Sequence, residues 1–106
     1  MKERIQSFEA FYPFYLKQHS NKICRLLHII GTTIVIALVI TSIYHVNPQL
    51  LIFVPLSGYG FAWVGHFFFE KNKPATFKYP FWSLKSDFKM YFDILSGKIS
   101  IDSSKD

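Results

Sequence analysis

Between Leu26 and Phe69 the sequence has no aspartate, glutamate, lysine or arginine at all. That gap excludes an ordinary small soluble domain, because a chain of 106 residues has too little left over to bury it. Cysteine is nearly missing as well. The single Cys24 excludes an intramolecular disulfide and agrees with reducing surroundings. No phosphate-binding loop, dinucleotide turn or nucleophile elbow is present, and there are no repeats or low-complexity tracts.

What is present is apolar and aromatic. Half of the residues are hydrophobic, with twelve Phe and six Tyr. A bilayer span takes roughly 20 mostly apolar residues, so the uncharged interval holds two. Residues 23–46 form the first predicted span and 48–70 the second, joined by a polar turn at Asn47-Pro48-Gln49. Val, Ile and Thr dominate the first span. A lone strand in lipid leaves its backbone unpaired, so both spans are expected to be helical. Pro55 should bend the second span or delay its regular helix until about Leu56. Small residues at Ser57, Gly58, Gly60, Ala62 and Gly65 permit close approach of a neighbouring helix.

The net charge of +5 is split around the apolar interval. Lys17, Lys22 and Arg25 precede it, and Lys71, Lys73 and Lys78 follow it. This is the positive-inside pattern of a hairpin with both termini cytoplasmic. Its membrane would be the inner membrane of a bacterium or the endoplasmic reticulum of a eukaryote. The charges form no single basic stripe, so no nucleic-acid partner is expected. The first apolar run begins late, runs long and has no small-residue cleavage site after it, so it reads as a span and not a signal peptide.

Two amphipathic helices are expected to flank the hairpin. In residues 2–19, Ile5, Phe8, Tyr12, Tyr15 and His19 recur at helical spacing, with a kink or fresh start expected at Pro13. In residues 80–96, Phe81, Leu84, Phe88, Phe92 and Leu95 form an apolar stripe, while Lys85, Asp87, Lys89 and Asp93 lie off it. This helix should lie on the surface or cap the bundle, and residues 97–106 should fray. The expected fold is all-α: one membrane domain, a two-span helical hairpin with interfacial helices at both ends.

Antiparallel spans set histidines in depth register. His28 starts span one and His66 ends span two, so both sit at the cytoplasmic end. His19 lies in the same layer, and Glu70 is one helical turn beyond His66 on its face. His45 falls at the other end, by the turn. Ionisable residues at membrane depth are functional candidates. His19, His28, His66 and Glu70 are therefore the candidate metal ligands, and the three histidines the candidate catalytic residues. Histidine and carboxylate ligands with open positions suit a non-haem Fe(2+) that binds oxygen. Arg25, one turn ahead of His28, or Lys22 would grip a fatty-acid carboxylate. Asn21 and Asn72 would orient ligands or cap helices. With four histidines, the chain has too few for the boxes of a di-iron membrane desaturase.

Two blocks carry a family resemblance. Tyr15-x3-His19-x-Asn21-x3-Arg25-x2-His28-x2-Gly31 is followed by Gly65-His66-x3-Glu70-x-Asn72-x-Pro74-Ala75. Together they resemble the small Mpo-like membrane proteins. Fungal members of that family are 2-hydroxy fatty acid dioxygenases of the endoplasmic reticulum that act in phytosphingosine breakdown. The resemblance implies an Fe(2+)-dependent α-oxidation that shortens a 2-hydroxy fatty acid by one carbon, with molecular oxygen as co-substrate. It maps the family's histidines onto His19, His28 and His66 and its acidic motif residue onto Glu70. The chain is shorter than the fungal members, with one hairpin, and looks like the bacterial branch. A non-enzymatic hairpin is the alternative. It would bind lipid, a partner helix or a second copy of itself through Gly31, Gly58 and Ala62.

Overall fold

The computed structural model describes residues 4–103 and is all-helical, with no strand among the described residues. The sequence accounts for where each helix starts. Helix α1 (Phe8–Gln18) begins where the Ser7 hydroxyl accepts the Ala10 N–H at 3.2 Å. The amphipathic pattern alone suggested a start near residue 2. Residues 2 and 3 lie outside the described residues, and residues 4–7 are not helical. They run back along the molecule instead: the Arg4 guanidinium donates to the Lys78 carbonyl, and the Ile5 N–H to the Tyr79 phenol. Pro13 lies inside α1, which continues through it as one helix.

Helix α2 (Lys22–Tyr44) is capped by Asn21, whose side-chain oxygen accepts from the N–H groups of Ile23 and Cys24. The second long segment is a composite. A 3-10 turn (Pro48–Ile52) leads into α3 (Phe53–Val64), which opens into a π-helix (Gly65–Glu70). Pro55 sits in the first turn of α3, where its missing N–H costs nothing. Both long helical segments are long and apolar enough to cross a membrane, and most of their surface is unburied within the chain. The seam between them is tight at two glycines. A Cβ on Gly31 would meet the Ser57 carbonyl oxygen at 3.0 Å, and one on Gly65 would meet Cys24 Sγ at 2.9 Å. Gly60, by contrast, faces open space.

Helix α4 (Pro80–Leu95) lies against α1 over the open end of the hairpin. Phe11, Tyr15, Tyr79 and Met90 form the buried core there. Phe11 meets the Tyr79 ring at 5.1 Å and the Trp82 ring at 5.6 Å, in the tilted geometry aromatic pairs favour. The inward face of α4 is mixed: Ser83, Ser86, Met90, Tyr91 and Asp93 are buried, whereas Phe81, Leu84, Phe92 and Leu95 of the apolar stripe are exposed.

The chain end does not fray over its described part. Lys98 and Ile99 donate to the Asp93 carbonyl, and the Ser100 carbonyl accepts from Arg25 Nη1 at 2.7 Å. The Ser103 hydroxyl donates to the Ser20 carbonyl.

Candidate metal centre

Three elements each bring one histidine to the covered end of the hairpin. His19 caps the C-terminus of α1, His28 stands two turns into α2, and His66 lies in the π-helix. All three are buried, at 1%, 6% and 1% exposure. His19 Nε2 lies 3.0 Å from His28 Nε2 and 2.9 Å from His66 Nε2.

The opposite nitrogen of each ring is committed. His19 Nδ1 lies 2.6 Å from the Tyr15 carbonyl oxygen, and His28 Nδ1 lies 2.8 Å from that of Cys24. His66 Nδ1 lies 2.7 Å from Asn72 Oδ1. The Asn72 amide is fixed in that orientation, because its Nδ2 donates to the backbone and side-chain oxygens of Gln18 at 3.1 and 3.0 Å. Each Nδ1 faces an oxygen acceptor, which assigns the ring proton to Nδ1 and the lone pair to Nε2. Three lone pairs are thus aimed at one point. One bridging proton would satisfy a pair of them and strand the third, whereas a metal cation satisfies all three. Burial, and then the neighbouring His28 and His66, hold His19 well below its ordinary pKa, so it is neutral and fit to be a ligand. The donor set therefore fits a divalent transition metal with open coordination positions.

Glu70 is not in this group. The only set of three or more potential ligands among the described residues is His19, His28 and His66, their ligand atoms within 4.8 Å of one another. Four-residue spacing puts Glu70 on the face of His66 only in an α-helix. Here the turn is widened: the Lys71 and Asn72 N–H groups both reach back to the His66 carbonyl, and Lys71 closes it in the left-handed region (φ 59°). The Glu70 carboxylate instead accepts from the Asn21 N–H and, at 3.3 Å, from the Ser20 hydroxyl. It ties the end of the second long segment to the start of α2. The same turn that swings Glu70 away brings Asn72 under His66.

The remaining candidates divide. Asn21 makes the α2 cap and sends its amide to the Phe69 carbonyl, so it serves the same tie as Glu70. Lys22 is exposed at the start of α2. Arg25 is fully buried, and its guanidinium donates to the carbonyls of His19 (2.5 Å), Ser100 (2.7 Å) and Leu16 (3.4 Å). These bonds fix the backbone that carries His19. His45 is exposed beside the turn.

Two cavities meet at the histidines. A small one is walled by all three, with Tyr15, Trp63 and Ser83. A larger one of about 250 Å³ runs between α2, α3 and α4 past Val35, Val54, Pro55 and Phe88. His28, Tyr59 and Asp87 line both. Asp87 had been assigned only to the polar side of α4. Burial pushes its carboxyl up to about 7, while the Tyr15 phenol donates a hydrogen bond to it. Burial, reinforced by Asp87, in turn holds Tyr15 well above its ordinary value. The Tyr15 ring stacks on His19 with centroids 3.9 Å apart. The signal available in the sequence was the run Ser83, Ser86, Asp87 at three-and-four spacing, opposite the apolar stripe.

Residues 5–99 match the family described as 2-hydroxy-palmitic acid dioxygenase Mpo1-like. The chain belongs to that family. Its matched region contains all three histidines, Asp87 and both long apolar segments. No curated protein and no solved structure matches the chain.

Proposed function

We propose that this chain is a membrane-embedded Fe(2+) dioxygenase that shortens a 2-hydroxy fatty acid by one carbon. The observation that carries this is the convergence of three Nε2 lone pairs, one of them on His28, which also lines the larger, mostly apolar cavity. The donor set suits iron and zinc alike, and the choice of iron is supported by its redox chemistry, which a dioxygenase of the kind the family's name describes would use and zinc does not supply. When bound, Fe(2+) supplies oxygen activation and a Lewis-acid site for a hydroxy acid.

The residues of the chain do the rest. His19, His28 and His66 hold the metal, each locked in its tautomer by the oxygen behind it. The larger cavity takes the carbons next to the head. At about 250 Å³ it is small for a whole fatty acid, so the tail continues beyond it along the apolar helix faces. Those faces support the membrane assignment. Ile40, Ile43, Ile52, Leu56 and Phe68 are each more than 60% exposed, more apolar surface than a monomer leaves in water. The split of basic residues to the histidine end would keep both termini cytoplasmic.

The test is turnover of 2-hydroxypalmitate to pentadecanoate by the purified protein in detergent, with and without oxygen. Product forms only with oxygen, and His66→Ala lowers the rate by at least about 100-fold. Equal turnover by His66→Ala would refute the assignment. Of the residues named for the non-enzymatic hairpin, Gly31 packs against Ser57 and Phe61 and Gly58 against Val35, within the chain's own seam.

A further inference from the structure

A metal held by three histidines leaves two features of α4 unexplained. Ser83 is 1% exposed, its hydroxyl has no hydrogen-bond partner, and it lines the small cavity beside the histidines. An orphaned hydroxyl there costs stability unless something outside the chain uses it. Asp87 lies one turn further along the same face and lines both cavities. One oxygen accepts from Tyr15, and among the described residues Asp87 makes no other hydrogen bond, which leaves its second oxygen for the junction. Ser86 is also orphaned but lines neither cavity.

The layout has a direction. Val35, Val54, Pro55 and Phe88 line only the larger cavity, His28, Tyr59 and Asp87 line both, and Ser83 with His19 and His66 lines only the small one, of about 10 Å³. A 2-hydroxy acid has the matching order: apolar tail, hydroxyl-bearing carbon, carboxylate. We propose that Ser83 and Asp87 hold the substrate's polar head, Asp87 accepting from the 2-hydroxyl and so setting the preference for a hydroxy acid, Ser83 donating to the carboxylate. This gives α4 the task that the sequence had suggested for Arg25 and Lys22, whose side chains line neither cavity. It rests on the dioxygenase assignment for the choice of substrate. A site that bonds a substrate hydroxyl rejects the analogue lacking it, because its own polar group is then left unpaired.

The experiment is displacement of a fluorescent fatty acid from the purified iron-loaded protein by 2-hydroxypalmitate and by palmitate, with turnover measured alongside. Wild type should bind 2-hydroxypalmitate at least about tenfold more tightly than palmitate. Ser83→Ala should weaken both acids about tenfold while raising Tm, since it removes an unpartnered hydroxyl. Asp87→Leu should collapse the preference for the hydroxy acid, and Asp87→Asn should restore part of it. A merely structural Ser83 would leave binding unchanged. The proposal is overturned if wild type shows no preference, if Asp87→Leu keeps its ratio within about twofold, or if Ser83→Ala binds both acids as wild type does. If Asp87→Leu erases the preference and Ser83→Ala weakens both acids but wild type makes no pentadecanoate, head recognition stands and the dioxygenase assignment falls. If turnover stands and the ratio is unmoved, only head recognition falls.

Discussion

His45 and His66 sit at opposite ends of one helical hairpin, and only His66 is buried. At the turn end, Tyr44 and Val46 are 80% and 85% exposed, and α1, α4 and residues 97–103 all lie elsewhere. At the other end those three elements close over the hairpin and bury Arg25, Ser83, Ser86 and three histidines together. The difference comes from the cap and from the π-helix beneath it. The buried polar groups gather at that end, apart from Ser42 near the turn, and of those just named all but Ser86 have a set partner or line a cavity.

The comparison breaks most severely at Arg25. Its guanidinium joins the end of α1, the start of α2 and the tail through three carbonyls. Arg25→Gln strands those acceptors and is expected to cost about 3 kcal/mol or more, read as a lowered Tm in detergent. Turnover should fall with it, because the His19 backbone is one of the three attachment points. Arg25→Lys should recover little, since an ammonium lacks the planar fork.

A smaller break is expected at Gly65. Its added Cβ would lie 2.9 Å from Cys24 Sγ and 3.2 Å from Cys24 Cα, so the π-helix must move away from α2. Gly65→Ala should cost about 1–3 kcal/mol and reduce metal affinity, because His66 is the next residue. Gly60→Ala meets nothing within 4 Å and sharpens the contrast as the neutral control. Thermal unfolding and metal titration of the two variants side by side check both statements.

Much of this was legible in the residues. The uncharged interval implied two long apolar helical segments, and antiparallel register grouped His19, His28 and His66 while setting His45 aside. Three features were not legible, each for a physical reason. The spacing of His66 and Glu70 was read with α-helical periodicity, and an i→i+5 turn at Gly65–Glu70 changes which residues share a face. The apolar stripe of α4 is exposed, but periodicity does not tell which residues off the stripe reach a cavity, so Ser83 and Asp87 were not singled out. Arg25 looked like a substrate anchor because the tail that supplies the Ser100 carbonyl folds back from 75 residues away.

The central claim is that three histidines at the capped end hold one metal and the histidine at the turn end holds none. The direct measurement is metal content by mass spectrometry on protein purified without chelators. Wild type and His45→Ala should each carry about one iron per chain, and His66→Ala should carry none while keeping its helical circular dichroism. Metal retained by His66→Ala, or absent from wild type, would contradict the account.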